Sequence, residues 1–230
     1  GIGEFSDLHG LIDWAAMCQM NMVQILPIND TIATKTWVDS YPYSAISVFA
    51  LNPIYLNLKI IADLEDKIKK EILEAELQRL NALTEIDFEG VLETKTSYLN
   101  LLFQQEKNSF HQDTKFQEFY KQNQDWLRPY AAFCMLRDQN GTADFSTWGE
   151  YAIYKKGLIE QLTDPDSEEY DEIAIHYFTQ FHLHQQLLTA TEYAKKKGVI
   201  LKGDIPIGIY RHSVDAWISP QLYHMDSQAG

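Results

Sequence analysis

The pattern of apolar and polar residues opens with a helix followed by a strand. Ser6 is a candidate N-cap, and apolar residues recur behind it at helical spacing. These positions share one helix face: Leu8, Leu11, Ile12, Ala15 and Ala16. Residues 22–28 then form a short β-branched and apolar run ended by Pro27, which predicts a buried strand. Helix followed by strand is the order of an α/β fold with a parallel sheet.

The middle of the chain has helical periodicity throughout. The predicted helices cover residues 63–83, 88–110, 113–138 (as one or two helices around Pro129) and 167–198, with Gly198 as the C-terminal stop. A second strand is predicted at residues 199–204. Roughly 170 residues separate the two strands, whereas an ordinary βαβ unit takes about 30. A helical subdomain is therefore predicted within the loop that follows the first strand. In a parallel barrel such loops form the active-site face, so the insertion would be a wall or lid of the site.

The amino-acid composition argues against some classes of partner and indicates a cellular location. The formal net charge is −14, with 33 acidic and 19 basic residues, which argues against a nucleic-acid partner. No apolar segment is long enough to span a bilayer and no leader opens the chain, so no membrane partner is expected. Cys18 and Cys134 both lie in predicted helices among apolar neighbours. We expect them to be buried, reduced thiols of an intracellular protein, and we predict a cytoplasmic location.

Three histidines on one predicted helix raise the question of a metal site. His182 and His184 are two residues apart and so point about 200° away from each other, which prevents joint chelation. His176 is poorly aligned with His182 as well, so packing or surface roles are predicted and no metal site. The acidic residues 164–172 predict a solvated turn and helix start. The chain has neither a glycine-rich phosphate loop nor a nucleophile elbow, and no cofactor is expected.

The segment from residue 29 to residue 52, the aromatic loop, is too long and too aromatic for a simple connection, and such loops are usually functional. It contains "TWVDSYPYS", in which Tyr41 and Tyr43 stand beside Asp39 and Ser40. Flat apolar rings interleaved with hydrogen-bonding groups suit the C–H faces and hydroxyls of a sugar. A loop that packs its aromatic residues on the core explains the composition equally well.

The second predicted strand ends in "GDIPIG", where Asp204 lies between glycine and proline residues. One interpretation is a turn that needs aspartate for its hydrogen bonds. The other is a functional carboxylate at the C-terminal end of a parallel strand, where barrel enzymes place site residues. The position favours the second interpretation.

Several segments together carry a family resemblance. They are "GIGEFSDLHGLIDWAA", "VQILPIND", "DSYPYSAISVFALNPIYL", "WLRPYAAFCMLRD", "HYFTQFHLHQQL" and "LKGDIPIGIYRHSVDAWISPQLYHMD". In this order they resemble the 4-α-glucanotransferases of the amylomaltase (disproportionating enzyme) family, especially the plant cytosolic type and its bacterial relatives. The resemblance covers essentially the whole chain. It implies part of a (β/α)8 barrel with a large inserted, mainly helical subdomain. The implied activity is transfer of α-1,4-linked glucosyl units among maltose, malto-oligosaccharides and α-glucans, with retention through a covalent glycosyl-enzyme.

The resemblance also implies roles for single residues. Tyr43 matches the tyrosine of the family's Pro–Tyr motif and would stack on the sugar at the cleavage point. Asp204 matches the aspartate of its Gly–Asp–x–Pro motif and would bind sugar hydroxyls or order the catalytic carboxylates. Asp39 is predicted to bind substrate beside them. Tyr41 departs from the pattern, because many relatives have a small residue directly before Pro–Tyr.

No residue of this chain matches the family's catalytic carboxylates, so we predict no catalytic residue here and an internal piece of a larger enzyme. The predicted parts are a barrel segment with the aromatic loop (1–58), the inserted helical subdomain (59–172) and a barrel segment with the Gly–Asp–x–Pro strand end (173–230). Two alternatives stay open, a non-catalytic α-glucan-binding module and an α-glucan hydrolase of similar barrel. Open sheet edges of a partial barrel also predict self-association of the chain.

Overall fold

In the part of the chain that the structure describes, the regular elements are mainly long helices and one parallel pair of short strands. The computed structural model describes residues 2–226. The helices and strands are α1 (Leu8–Met17), β1 (Met22–Gln24), α2 (Lys67–Asn81), α3 (Phe88–Phe110), α4 (Thr114–Asn140), α5 (Lys156–Leu162), α6 (Tyr170–Lys196), β2 (Ile200–Lys202) and α7 (Val214–Ile218). Short 3-10 helices lie at Phe5–Asp7, Trp37–Ser40, Pro53–Tyr55, Leu58–Ile60, Phe145–Thr147, Gly149–Tyr151 and Pro220–Leu222.

The two predicted strands exist and are neighbours. They pair in parallel, with Val23 opposite Leu201. The Ile25 amide donates to the Lys202 carbonyl over 2.9 Å and continues the ladder beyond β1. Both strands are shorter than the predicted ranges 22–28 and 199–204. Pro27 explains the early end of β1, because proline has no N–H to donate to a ladder.

The prediction of a buried strand at 22–28 is wrong for one face of the pair. Burial alternates along both strands, as the two-residue period of a strand requires. Val23 and Leu201 pack on a small core made by α1 and the end of α6 (Ile12, Ala15, Ala194 and Val199). Met22 and Ile200 point the other way and remain 49% and 58% exposed.

The main core lies between α3, α4 and α6 and is rich in aromatic rings. The Phe110 and Phe116 rings lie 3.9 Å apart, and Phe178 and Phe181 of α6 pack around them. The predicted helix 88–110 coincides with α3. The segment around Pro129 forms one continuous helix, α4, in which Pro129 is buried. The short helices α5 and α7 were not predicted, since neither is long enough to show a clear apolar period.

Two expectations for the first helix fail. Ser6 is not its N-cap: residues 5–7 form a 3-10 turn, and Asp7 is the residue that precedes α1. The Asp7 carboxylate accepts a hydrogen bond from the Glu4 amide over 2.8 Å. Cys18 is exposed, because it lies just past the last turn of α1, whereas Cys134 is buried as predicted.

Helix α6 ends at the predicted glycine. Gly198 has a φ of +72°, which is the left-handed conformation that favours glycine. The Val199 amide donates to the Ala194 carbonyl and the Gly198 amide to the Lys195 carbonyl, which is the Schellman arrangement of a helix end. Among the described residues, none of the helices has the length and apolar character required to cross a bilayer.

Candidate functional site

The structure brings Tyr43 and Asp204 together, although 161 positions separate them in the chain. The Tyr43 hydroxyl donates to Asp204 Oδ2 over 3.0 Å. This hydrogen bond is the main cause that raises the pKa of Tyr43, because it stabilises the neutral phenol beside a carboxylate. The other Asp204 oxygen accepts the Ile205 amide over 2.9 Å. Asp204 therefore holds its turn with one oxygen and faces the aromatic loop with the other.

Backbone bonds fix the two segments that carry this pair. The Tyr210 amide donates to the Ala45 carbonyl over 2.9 Å, and the Val214 amide donates to the Ile46 carbonyl over 2.8 Å. Further along, the Val48 amide donates to Asp215 Oδ2 over 3.0 Å. The loop after β2 and the aromatic loop are thus joined at several consecutive points, which limits their relative movement.

The exposed rings of the aromatic loop exclude the interpretation that it simply packs on the core. Tyr41 is 59% and Trp37 is 68% exposed. The Tyr41 and Tyr43 ring centroids lie 5.6 Å apart at an angle of 51°. Tyr43 is only partly buried as well. Apolar ring surface thus lies open to solvent next to the Tyr43–Asp204 pair, and this combination can take a ligand with both apolar faces and hydroxyl groups.

Asp39 has a different environment from the other two predicted site residues. It is 4% exposed, and its Oδ2 accepts hydrogen bonds from three consecutive amides, those of Ala33, Thr34 and Lys35. The other oxygen, Oδ1, accepts the Thr34 hydroxyl over 2.9 Å. Lys35 has a φ of +59°, so the carboxylate stabilises a turn with an unfavourable backbone conformation. The structure places Asp39 as a brace of the aromatic loop and does not bring it to the Tyr43–Asp204 pair.

A buried polar group under the loop was missed from the sequence. The Asp30 carboxylate is 1% exposed, and its burial raises its pKa to about 6, against the opposing charge of Arg137. Tyr130 donates to it, and Arg137 donates to the Ile32 carbonyl. Asp30 stands in the motif "VQILPIND", where Asp after Asn looks like ordinary loop composition. Only its long-range partners distinguish it.

The histidines of α6 have the packing or surface roles that the sequence predicts: His176 and His182 pack against aromatic rings, and His184 is exposed. The His182 ring packs edge-on against Phe178, with 4.3 Å between centroids, and His176 packs against Tyr130. Burial lowers the pKa of both His176 and His182 to about 4, so both are neutral at pH 7. Within residues 2–226, no three His, Cys, Asp or Glu side chains lie close enough to hold a metal ion.

The chain is similar to known proteins in both sequence and fold. The profile of a family described as 4-alpha-glucanotransferase matches residues 1–230. The 4-alpha-glucanotransferase DPE2 of Oryza sativa subsp. japonica is 44% identical over the whole chain, which covers 24% of that protein. The 4-alpha-glucanotransferase of Chlamydia muridarum is 31% identical, again over the whole chain and 42% of its own length. The chain thus spans less than half the length of these relatives.

Solved structures give the same fold. An amylomaltase from Streptococcus agalactiae in complex with acarbose superposes with a TM-score of 0.71 at 20% identity, over 94% of this chain and 42% of its own. The amylomaltase of Corynebacterium glutamicum gives a TM-score of 0.68 at 20% identity, over 93% of this chain and 29% of its own. The described residues therefore share a fold with part of these larger proteins.

Proposed function

The chain belongs to the 4-alpha-glucanotransferase family, and from that membership we propose that the native protein transfers α-1,4-linked glucosyl units between malto-oligosaccharides or α-glucans. The observation that carries the proposal is the hydrogen bond from Tyr43 to Asp204 beside the exposed Tyr41 ring. A relative with the same fold binds acarbose, a sugar analogue, which supports a carbohydrate ligand for this chain.

In this proposal Tyr43 and Asp204 bind and orient the sugar. The apolar face of a glucosyl ring stacks on Tyr43, and Tyr41 extends the platform. Asp204 Oδ2 accepts a sugar hydroxyl next to the Tyr43 hydroxyl, as a charge-assisted hydrogen bond. Asp39 contributes to substrate binding through the turn at residues 33–35, which shapes the loop that carries both tyrosines.

We propose the barrel architecture as the frame of this site. In it, β1 and β2 are two strands of a (β/α)8 barrel whose segments are residues 1–58 and 173–230, and residues 59–172 are the inserted helical subdomain. The parallel pairing of the two strands across that long crossover supports this arrangement. Asp204 lies two residues beyond the end of β2, and in this arrangement it would lie on the face where barrel enzymes bind their substrates.

The bond-breaking step requires groups that we do not assign to this chain. Retaining transfer needs a carboxylate nucleophile and a carboxylic acid/base about 5 to 5.5 Å apart, and Tyr43 and Asp204 do not form such a pair. Within this proposal they hold the donor sugar while those carboxylates act, and no metal or cofactor takes part. The cytoplasmic location stays a prediction.

Incubation of the complete native polypeptide with maltotriose tests the proposed function. Transfer predicts glucose together with maltopentaose and longer products. A hydrolase would release only glucose and maltose. A non-catalytic module would bind maltotriose and leave it unchanged, and either of these two results refutes transfer.

We also propose that the 230-residue chain by itself associates through its exposed sheet face. Met22 and Ile200 supply apolar surface there, next to unpaired strand edges. Sedimentation velocity at increasing concentration measures this association. The charged double variant Met22→Lys with Ile200→Lys should shift the chain to monomer, and an unshifted distribution would refute the proposed surface.

A further inference from the structure

The loop that carries Tyr43 is held from the protein interior by side chains of two helices. Tyr130 of α4 donates from its hydroxyl to Asp30 Oδ2 over 2.7 Å. Gln180 of α6 donates from Nε2 to the same hydroxyl oxygen over 3.3 Å. Asp30, Tyr130 and Gln180 are each 1% exposed. These bonds are therefore made away from water, where an unmet polar group is costly.

Gln180 also takes both polar groups of one loop residue. Its Nε2 donates to the Leu51 carbonyl over 2.7 Å, and its Oε1 accepts the Leu51 amide over 2.9 Å. Leu51 in turn forms an antiparallel bridge with Asn29. Helix α6 thus fixes the backbone where the loop returns to the core, and α4 fixes it near the start of the loop, at Asp30.

The bonds continue from this network to the site. The Asp30 amide donates to the Ala50 carbonyl over 2.8 Å, and the Asp30 carbonyl accepts the Ile46 amide over 2.7 Å. Ile46 lies three residues after Tyr43, and its own carbonyl accepts the Val214 amide from the segment after Asp204. A short run of hydrogen bonds therefore leads from α4 and α6 to Ile46 and Val214, which lie in the two segments that carry Tyr43 and Asp204.

We propose that Tyr130 and Gln180 are positioning residues for sugar binding, which hold the loop of residues 29–52 so that Tyr43 meets Asp204. Both act through the loop and neither touches the sugar. This inference rests on the proposed function, because it assigns a task to the same site. It also gives the helical part of the chain a role in the reaction beyond covering the core.

A pair of glutamine variants separates positioning from stability. Gln186 binds the backbone of Asn57 in the way that Gln180 binds that of Leu51: its Oε1 accepts the Asn57 amide over 2.9 Å and its Nε2 donates to the Asn57 carbonyl over 2.8 Å. Asn57, however, lies outside the loop of residues 29–52. Gln180→Leu and Gln186→Leu each remove two bonds to a backbone, and Gln180→Leu also removes the 3.3 Å bond to the Tyr130 hydroxyl. Both variants should lower the unfolding temperature, Gln180→Leu at least as much as Gln186→Leu. In the complete native polypeptide at 25 °C, we expect only Gln180→Leu to lower kcat/KM for maltotriose, by about 10-fold or more. An equal loss in both variants would overturn the proposal.

A pair of tyrosine variants removes one hydroxyl each. Tyr130→Phe deletes the donor to Asp30, whereas Tyr177→Phe deletes a fully buried hydroxyl that has no hydrogen-bond partner among residues 2–226. We expect Tyr130→Phe to lower kcat/KM by about 10-fold and Tyr177→Phe to leave it unchanged. If Tyr130→Phe has wild-type kinetics, Tyr130 is not a positioning residue.

A double-mutant cycle with Tyr43→Ala asks whether Gln180 acts through Tyr43. If it does, Gln180→Leu should change kcat/KM by less than about 2-fold once Tyr43 is alanine, because coupled residues are not additive. The same cycle is measured on the Kd for maltotriose, so the positioning inference is decided even if the protein transfers nothing. A full 10-fold loss in the Tyr43→Ala background would refute it. A wild-type protein that neither transfers nor binds maltotriose would refute both the function and the inference.

Discussion

Replacing Lys95 with methionine removes a buried ammonium that holds three oxygen atoms at once. Lys95 of α3 is 7% exposed. Its Nζ donates to Glu4 Oε1 over 2.7 Å, to the Ile54 carbonyl over 2.6 Å and to the Leu56 carbonyl over 3.0 Å. All three donors of the ammonium are therefore used, and the segment after the aromatic loop is anchored to α3.

The magnitude follows from what the substitution leaves unpaired. Ile54 and Leu56 are each 1% exposed, so water does not reach their carbonyls readily. An unmet buried acceptor costs about 1–3 kcal/mol, which for two carbonyls amounts to roughly 4 kcal/mol. Methionine recovers part of this, because burial disfavours the charged ammonium and lowers the pKa of Lys95. We expect a net loss of about 3 kcal/mol in the free energy of unfolding, in line with removal of one partner of a buried ion pair.

Urea unfolding of the 230-residue chain, followed by tryptophan fluorescence, measures this loss. The slope m should stay constant while the midpoint falls. Lys59→Met is the matched control, because within residues 2–226 the Lys59 ammonium makes a single, partly exposed ionic contact of 3.8 Å with Glu74. This variant should stay within about 0.5 kcal/mol of wild type. A loss below about 1 kcal/mol in Lys95→Met with unchanged m would refute the reasoning.

Three further predictions follow from the same structure. Burial lowers the pKa of His182 to about 4 in the folded state, so on acidification the unfolded chain takes up this proton before the folded chain does, and the free energy of unfolding falls as the pH drops from about 6.5 to about 4. The unfolding temperature of His182→Phe should fall less over this pH range than that of wild type, and an equal fall in both proteins would count against the buried neutral imidazole. Gly198→Ala should cost about 1 kcal/mol in urea unfolding, because φ is +72° and an added Cβ meets no atom within 4 Å, so the cost is conformational only; a neutral substitution would contradict the helix-end assignment. The 230-residue chain, purified free of host enzyme, should release no glucose from maltose, and measurable release would place catalytic carboxylates within it.

Local sequence patterns were sufficient for the long helices α3, α4 and α6, but not for the short helices α5 and α7. The period of apolar residues located α3 at 88–110, and a single glycine marked the end of α6, because both depend on neighbours in the chain. The sequence wrongly predicted that Cys18 is buried. Helix α1 ends one residue earlier, at Met17, and a local pattern does not fix the end of a helix to within one residue. One face of the two strands is exposed because no helix packs on it among the described residues. The apolar run of residues 22–28 does not reveal which of its faces a helix will cover.

The candidate site was predictable only in part. Tyr43 and Asp204 stood out because each lies in a distinctive motif, and the structure places them in contact. Asp39 was predicted as a site residue because it stands in a loop whose composition suits sugar binding. Its carboxylate instead turns inward and accepts hydrogen bonds from the amides of residues 33–35. Tyr130 and Gln180 lie in segments that carry the family resemblance, but the sequence assigned neither of them a role, because a tyrosine or glutamine on an amphipathic helix acquires its role only from a loop far away in sequence.

The most direct test of the central claim is the initial rate of maltotriose disproportionation by the complete native polypeptide with Tyr43→Ala, Asp204→Asn and both changes together. If these residues form one sugar-binding unit, each single variant should lose most of the transfer rate. The double variant should then have an initial rate only slightly below that of the less active single variant, because the two side chains share one hydrogen bond. Wild-type rates in both single variants would contradict the claim that this pair binds the transferred glucan.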